Sequence, residues 1–212
     1  MIQETIIKKI RDLYNPTAIL LHGSRAVGME REHSDWDIIL IVEKDGLGKN
    51  GRIEIEGQDV ELKFHVLPDG DFSVLNIFDI YLQFAKVLWE EGSVGTDLLE
   101  KAKAEYAKGP NLTDEELRKW KQFFEHKIAG MKDDVESLHM FFKHVNVLHN
   151  NAIRFWYEIL HNQFSKPYYM AIPEIQEKDP GFKKLLDVLI SNEVSNTEKI
   201  EAGEGVLKSL FK

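Results

Sequence analysis

The chain lacks cysteine, long apolar runs and an excess of basic residues. The absence of cysteine among its 212 residues excludes disulfides, thiolate metal sites and a cysteine nucleophile. No apolar run approaches the roughly 20 residues that a membrane-spanning helix needs. The first five residues do not show the basic and apolar stretches of a secretion signal. The sequence therefore predicts a soluble cytoplasmic protein with no membrane segment.

The charge balance argues against a nucleic-acid partner. The chain carries 27 basic and 36 acidic residues, for a formal net charge of −9. Proteins that bind DNA or RNA usually present a basic face, because neutralising phosphates supplies much of their affinity. The composition favours a small or cationic partner instead, and it leaves open whether the chain forms a homodimer.

The first half of the chain mixes strand and helix patterns. Apolar spacing predicts a helix over residues 2–13, and β-branched or apolar runs predict short strands. Residues Gly57-Gln58 are the predicted turn of a hairpin. These patterns predict an α/β N-terminal domain with a small mixed sheet, spanning residues 1–109. The predicted strands cover residues 18–21, 36–42, 52–56, 59–67 and 86–89, and further helices are predicted at 72–84 and 97–106.

The second half is helical throughout in its sequence pattern. Gly109-Pro110-Asn111 is the predicted linker, and Thr113 with Glu116 forms the pattern of a capping box at the start of a helix. We expect an all-α C-terminal helical bundle over residues 110–212. The predicted helices cover residues 114–138, 140–162, 182–190 and 197–210, with a proline-bearing loop at 165–173.

A glycine-serine pair follows the first predicted strand. Leu20-Leu21-His22 ends in Gly23-Ser24, where the chain turns towards a helix. Glycine allows a ligand to approach the backbone closely, and free N–H groups at a helix start favour a phosphate. The Ser24 hydroxyl can donate one further hydrogen bond. This pair predicts a phosphate-binding turn.

Two aspartates begin the second predicted strand. Asp35 and Asp37 are two residues apart, so their carboxylates point to the same face of the strand. Neighbouring carboxylates repel each other unless a cation lies between them, and magnesium prefers such oxygen ligands. Glu61, in the middle of a later strand, is the best third ligand, because an unpaired carboxylate among apolar neighbours is costly. Asp59 is the competing third carboxylate, although its place beside the predicted turn favours a turn role.

These residues together resemble the polymerase-β-like nucleotidyltransferase superfamily. The resemblance lies in Gly23-Ser24, in Asp35-x-Asp37 eleven positions later, and in the strand glutamate Glu61. The motif Gly-Ser-Arg-Ala-x-Gly resembles that of the small bacterial members, which include antibiotic nucleotidyltransferases acting on aminoglycosides and lincosamides. The motifs cover about a third of the chain. The resemblance extends weakly to the helical half, which binds the acceptor in the antibiotic enzymes.

The resemblance implies an activity and a set of roles. The implied reaction transfers a nucleoside monophosphate from a nucleoside triphosphate, with ATP the preferred expectation, to an acceptor hydroxyl. Two Mg²⁺ ions would be bound by Asp35, Asp37 and Glu61, and Gly23 and Ser24 would hold the β- and γ-phosphates. Arg25 is a further nucleotide-binding candidate, because its planar guanidinium matches phosphate oxygens; Arg31 is a weaker one. Carboxylates that could act as general base in the helical half are Glu125, Asp133, Asp134 and Glu136.

Two other interpretations stay open at this point. The chain could be a non-catalytic, antitoxin-like regulator, although the complete carboxylate set argues against a degenerate site. The helical half could instead resemble HEPN ribonuclease domains, because Arg154 and His161 lie seven residues apart with Glu158 between them. An ordinary helix-surface cluster is the preferred interpretation of those residues. The identity of the acceptor is left open by the sequence.

Overall fold

The computed structural model describes residues 2–42, 50–66 and 81–212 of the chain. Contacts divide the chain into two compact units, Met1–Ala107 and Lys108–Lys212. No helix among the described residues is both long and apolar enough to cross a bilayer. That the two sides of residue 109 are separate domains stays a prediction.

The described residues of the N-terminal unit form five strands, two longer helices and two short helical turns. Its elements in chain order are α1 (Ile2–Tyr14), β1 (Ala18–His22), the single turn α2 (Gly23–Ala26), β2 (Trp36–Val42), β3 (Gly51–Ile55), β4 (Gln58–Val66), a 3₁₀ turn (Tyr81–Phe84), β5 (Lys86–Glu90) and α3 (Val94–Lys108).

The five strands form one mixed sheet in the order β3-β4-β2-β1-β5. Strand β2 lies at its centre, antiparallel to β1 and parallel to β4. Strands β3 and β4 form an antiparallel hairpin at one edge, and β5 pairs antiparallel with β1 at the other. The small mixed sheet predicted from the sequence is therefore confirmed.

Each face of this sheet has its own apolar core. The alternate side chains of β2 separate into the two cores, as the two-residue period of a strand requires. Ile38 and Leu40 pack with Ile6 and Ile10 of α1 on one face. On the other face, Ile39 and Ile41 pack with a group from β1, the 3₁₀ turn and α3: Ala18, Leu20, Leu82, Leu98, Leu99 and Ala102.

The C-terminal unit is entirely helical within its described length. Its helices surround a core that includes buried aromatic side chains of Phe124, Phe141, Phe155 and Trp156. The capping box of Thr113 and Glu116 is present at the first helix. The helices are α4 (Asp114–Asp133), α5 (Leu138–Leu160), α6 (Tyr168–Lys178), α7 (Pro180–Ile190) and α8 (Asn196–Leu210).

Two details of the helical unit differ from the sequence prediction. The predicted helix over 114–138 ends at Asp133, and the chain turns before the next helix begins at Leu138. The predicted loop over 165–173 is partly helical, because α6 begins at Tyr168 and includes Pro173. Ala171 and Ile175, buried on either side of this proline, anchor that helix in the core. Most of the helix predicted over 72–84 lies outside the described residues.

The hairpin turn also differs, by one residue. Its turn residues are Glu56 and Gly57, so that Ile55 pairs with Gln58. Both turn residues have positive φ, 50° for Glu56 and 74° for Gly57. Two successive positive φ values are typical of the type I′ turns that match the twist of a two-residue hairpin. The shift places Asp59 inside β4, one residue further from the turn beside which it was predicted to lie.

Candidate active site

Four polar side chains form a row across one face of the sheet. Strand register places His22 opposite Asp37, Asp37 opposite Glu61, and Glu61 opposite Arg52. Residues directly opposite one another on paired strands share a face. The row therefore lies on the face that also carries Ile39 and Ile41, beyond the end of that apolar core.

Asp35, Asp37 and Glu61 converge at this row. One carboxylate oxygen from each lies within 4.8 Å of those of the other two. Asp37 comes from the start of β2, Asp35 immediately precedes that strand, and Glu61 comes from the parallel neighbour β4. All three side chains are partly exposed, so an ion in solution can reach them. The parallel pairing of β2 with β4 brings two distant parts of the sequence together.

The carboxylates repel one another, and this repulsion contributes to the raised pKa of the Asp37 carboxyl. Burial, together with the charges of Asp35 and Glu61, raises the pKa of the Asp37 carboxyl, against the opposing effect of Lys63 and Arg52. On the neighbouring strand, burial and then the charge of Lys63 lower the pKa of His22. The site therefore has an excess of negative charge around a partly buried carboxylate, a setting that favours a bound cation.

Two basic side chains also contact these carboxylates. Nη2 of Arg52 lies 3.2 Å from Oδ2 of Asp35 and 3.3 Å from Oε2 of Glu61, and Nη1 lies 2.8 Å from Oδ2 of Asp59. Nζ of Lys63 lies 3.3 Å from Oε1 of Glu61. Sequence reasoning did not identify Arg52 or Lys63. The signal was the strand register: a turn at residues 56–57 places Arg52 directly opposite Glu61.

Asp59, which the sequence analysis weighed against Glu61 as the third carboxylate, lies in the strand and not in the turn. Its side chain forms the ion pair with Arg52, beside the three converging carboxylates. The prediction of a turn role for Asp59 was wrong, because the hairpin turn is one residue earlier than expected. Glu61, and not Asp59, belongs to the group that could bind a metal ion.

The turn after β1 lies directly against this group. Gly23 has φ +71°, and a Cβ atom added there would lie 2.0 Å from Oδ2 of Asp37. A side chain at this position would overlap the carboxylate, so Asp37 requires glycine at residue 23. Ser24 follows in the same turn and is partly exposed. The structure thus brings the predicted phosphate-binding turn and the predicted metal ligands to the same place.

Arg25 contacts the segment that carries Asp35. Its Nε donates to the Asp35 carbonyl oxygen at 2.9 Å, and its Nη2 donates to the Ser34 carbonyl oxygen at 2.5 Å. The guanidinium also lies 4.8 Å from the centre of the Trp36 ring. These contacts hold the backbone just before β2, so Arg25 positions Asp35. Its predicted contact with a nucleotide phosphate stays a prediction.

The helical unit contains the residues of the ribonuclease-like alternative, in a different setting from the expected surface cluster. Nε of Arg154 donates to Oε1 of Glu158 at 2.7 Å, and the Glu158 side chain is only 1% exposed. Burial raises the pKa of this carboxyl, against the opposing hydrogen bond from Arg154. His161 lies at the end of α5, and its ring centre is 4.3 Å from that of Trp156. Glu158 thus belongs to the core.

One general-base candidate also has a defined partner. Oδ2 of Asp134 lies 3.1 Å from Nε2 of His144 within the helical unit. Because this interaction joins the residue after α4 to the second turn of α5, it gives Asp134 a structural role in that unit. Glu125, Asp133 and Glu136 stay predicted candidates for the general base.

The donor set of the carboxylate group fits a hard divalent cation. It offers three carboxylate oxygens and a partly exposed opening, and magnesium binds through one or two carboxylates together with water and substrate phosphates. The histidine of the row, His22, is on the adjacent strand and outside this group. An oxygen-only set is typical of magnesium or manganese and not of zinc.

Comparisons with known proteins agree with this geometry. Residues 4–94 match the family model described as polymerase beta, nucleotidyltransferase. The chain is similar to the solved structure of a nucleotidyltransferase-like protein from Exiguobacterium sibiricum 255-15, at 12% sequence identity and a TM-score of 0.52, over 100% of this chain and 74% of the other. At this identity the likeness concerns the fold alone. The comparison with curated proteins gives no significant match.

Proposed function

We propose that the chain, whose residues 4–94 match the family model described as polymerase beta, nucleotidyltransferase, transfers a nucleoside monophosphate from a nucleoside triphosphate to an acceptor hydroxyl. The observation that carries this proposal is the convergence of Asp35, Asp37 and Glu61 against the Gly23 turn. The matched residues 4–94 include all of these positions.

Asp35, Asp37 and Glu61 would hold the divalent cations, with Mg²⁺ the expected ion. When bound, such ions stabilise charge on phosphoryl oxygens and lower the pKa of a hydroxyl that they coordinate. The raised pKa of Asp37 supports this assignment, since the burial and negative neighbours that raise it also favour a nearby cation. A two-ion site is part of the proposal, because three carboxylates can be shared between two ions.

Gly23 and Ser24 would bind the polyphosphate of the nucleotide. The absence of a side chain at Gly23 leaves room for the Asp37 carboxylate beside the turn. The hydroxyl of Ser24, next in the turn, can donate to a phosphate oxygen. Arg25 holds the segment that presents Asp35, through its bonds to the carbonyl oxygens of Ser34 and Asp35. We propose ATP as the first triphosphate to test.

The proposed reaction is an in-line displacement at the α-phosphorus. The acceptor oxygen forms a new bond to that phosphorus, and the bond from it to the oxygen bridging the α- and β-phosphates breaks. Pyrophosphate leaves with that bridging oxygen, and the hydroxyl proton passes to a base or to solvent. Asp35, Asp37 and Glu61 would hold the cations that stabilise the negative charge developing during this displacement.

We infer that the acceptor is a small molecule and not a nucleic acid. The net charge of −9 supports this, because an acidic protein attracts cations and repels polyanions. Polycationic aminoglycosides are the first class to test, and lincosamides the second. Transfer to such a drug would make the chain an antibiotic-resistance enzyme.

A labelled-nucleotide assay tests the proposed function. Each triphosphate, labelled at the α-phosphate, is incubated with Mg²⁺, the protein, and either aminoglycosides, lincosamides or cell extract. We expect label to move from the triphosphate into an acceptor in the wild type and not in Asp37→Asn. Asp12→Asn, an exposed substitution on α1, is the matched control and should retain full transfer.

The outcomes separate the enzyme from a non-catalytic regulator. Binding of Mg²⁺ and a non-hydrolysable triphosphate with no transfer to any acceptor in extract would favour the regulator. Equal transfer by the wild type and Asp37→Asn would contradict the assignment of the site. RNA cleavage that is lost in His161→Ala would favour the ribonuclease alternative.

A further inference from the structure

The Arg52 guanidinium contacts three carboxylates of the site at the same time. Its Nη2 lies between Asp35 and Glu61, at 3.2 and 3.3 Å, and its Nη1 is 2.8 Å from Asp59. Two of these three carboxylates, Asp35 and Glu61, belong to the group that converges for a metal ion. One planar guanidinium therefore neutralises charge on both the potential metal ligands and a carboxylate beside them.

This arrangement depends on the shape of the arginine side chain. A guanidinium presents several N–H donors in a rigid plane, so it can contact separate carboxylates at the same time. The Arg52 side chain extends from the edge strand β3 and is 58% exposed, so the guanidinium is in contact with solvent. Contacts made at an exposed surface are weak and exchange readily with solvent or other ions.

We propose that Arg52 is an internal counterion that competes with the divalent cation for Asp35 and Glu61. This inference rests on the proposed function, since it assumes that these carboxylates bind a metal ion. Without metal, the guanidinium keeps the negative side chains converged and reduces their repulsion. With metal, the same oxygens are needed as ligands, and Arg52 gives up its contacts with them. Asp59, outside the ligand group, keeps its ion pair with the released guanidinium.

Lys63 distinguishes direct competition from a general effect of positive charge. Its Nζ contacts only one ligand carboxylate, Glu61, at 3.3 Å. Lys63 nevertheless carries the same single positive charge as Arg52. If only the total charge mattered, removing Lys63 would affect metal binding as strongly as removing Arg52. If contact with the ligand oxygens matters, removing Arg52 has the larger effect.

The test measures metal affinity and metal-free stability, both independently of catalysis. Mn²⁺ binding is followed by electron paramagnetic resonance, and Mg²⁺ binding by calorimetry, in the wild type, Arg52→Gln, Arg52→Lys and Lys63→Gln. We expect Arg52→Gln to bind Mn²⁺ roughly three- to tenfold more tightly than the wild type, as exposed ion pairs of this number permit. Lys63→Gln should show a smaller gain.

Arg52→Lys is the decisive variant, because it retains the charge and loses the planar geometry. We expect it to bind Mn²⁺ more tightly than the wild type and less tightly than Arg52→Gln. We also expect Arg52→Gln to have a lower melting temperature than the wild type without metal, and saturating Mn²⁺ to reduce this difference.

Several results would overturn the proposal. Equal Mn²⁺ affinity in the wild type and Arg52→Lys would show that charge alone is responsible. An unchanged or weaker affinity in Arg52→Gln would show that Arg52 does not compete. These failures leave the proposed function intact as long as the wild type binds Mn²⁺. If neither the wild type nor Arg52→Gln binds Mn²⁺, the metal site itself is refuted, and the role of Arg52 with it.

Discussion

Asp37 explains why residue 23 is glycine, because a Cβ atom at Gly23 would lie 2.0 Å from Oδ2 of Asp37. A strand end, a turn and a neighbouring strand meet here: β1 ends at His22, Gly23 follows, and Asp37 lies opposite His22 on β2. The glycine of the motif therefore has a steric role towards the carboxylate, in addition to its proposed role towards the phosphates.

Replacing Gly23 with alanine should damage both stability and the site. The positive φ costs about 1–2 kcal/mol for a residue with a side chain, and the overlap with Asp37 adds to this. We expect Gly23→Ala to lower the free energy of unfolding by at least about 2 kcal/mol and Mn²⁺ affinity by roughly tenfold or more. Urea unfolding and metal titration measure the two effects.

Gly28→Ala is the matched control for that substitution. Gly28 has almost the same φ, +72°, but no atom lies within 4 Å of the Cβ position there. It should therefore lose only the backbone contribution, about 1–2 kcal/mol, and keep its metal affinity. Equal effects of the two substitutions would show that contact with Asp37 is unimportant.

The sequence predicted the parts of this site that depend on local patterns. The spacing of Asp35 and Asp37 on one strand, and the glycine at a strand end, were both recognisable, because a strand has a two-residue period. The pairing of Asp37 with Glu61 could only be hypothesised, since it depends on which strands become neighbours. The structure shows that β2 and β4 are parallel neighbours, with these two residues in register.

The contact of Arg52 with the carboxylates could not be predicted, because the sequence placed the hairpin turn one residue too late. The sequence favoured Gly57-Gln58 as the turn, and that choice would place Glu54 opposite Glu61. The actual turn contains Glu56 at φ 50°, a conformation that glutamate seldom adopts. A one-residue change in a hairpin alters every cross-strand pair. Interactions of this kind cannot be read from composition or spacing until the register is known.

The strained turn residue allows a stabilising substitution. Asparagine tolerates positive φ better than glutamate, and Asn-Gly is the preferred pair for a type I′ hairpin turn. We expect Glu56→Asn to raise the free energy of unfolding by about 0.5 kcal/mol. The matched control, Glu54→Asn, lies in extended β3, where asparagine is disfavoured, so it should be neutral or destabilising. Equal stabilisation by both would refute the turn assignment.

Arg25 should act on metal binding through Asp35. Lysine cannot reproduce both of its bonds to the carbonyl oxygens of Ser34 and Asp35, so the segment before β2 should be held less firmly. We expect Arg25→Lys to reduce Mn²⁺ affinity roughly threefold or more and stability by about 1 kcal/mol. Arg31→Lys, at an exposed position nearby in sequence, is the control and should change neither.

The kinetics of the same variants test the alternative role of Arg25. If Arg25 contacts the nucleotide phosphates, as the family resemblance implies, Arg25→Lys should raise the KM for the triphosphate while metal affinity is unchanged. A loss of metal affinity in the absence of nucleotide would instead support positioning of Asp35. A combination of both effects would show that one guanidinium serves both purposes.

Glu174 should make the helical unit sensitive to acid. Tyr157 donates to Oε2 of Glu174 at 2.8 Å, Lys178 donates to Oε1 at 2.6 Å, and Lys166 also forms an ion pair with this carboxylate. Burial raises the pKa of the Glu174 carboxyl, but the three donors outweigh this effect and lower the pKa from 4.5 to about 2. The carboxylate is thus more acidic in the folded unit than in the unfolded chain.

The sign of this shift determines how stability depends on pH. Because the folded pKa is below the unfolded one, the contribution of Glu174 is fully present above about pH 4.5 and is lost as the pH falls towards 2. We expect Glu174→Gln to cost about 1–3 kcal/mol at pH 7, as the loss of hydrogen bonds to a charged group does. The difference from the wild type should shrink as the pH falls from 4.5 towards 2. Urea unfolding at pH 7, 4 and 3 measures this difference.

Glu177→Gln, an exposed neighbour on the same helix, is the control and should match the wild type at each pH. A constant difference between Glu174→Gln and the wild type would contradict the ionic origin of the stabilisation by Glu174.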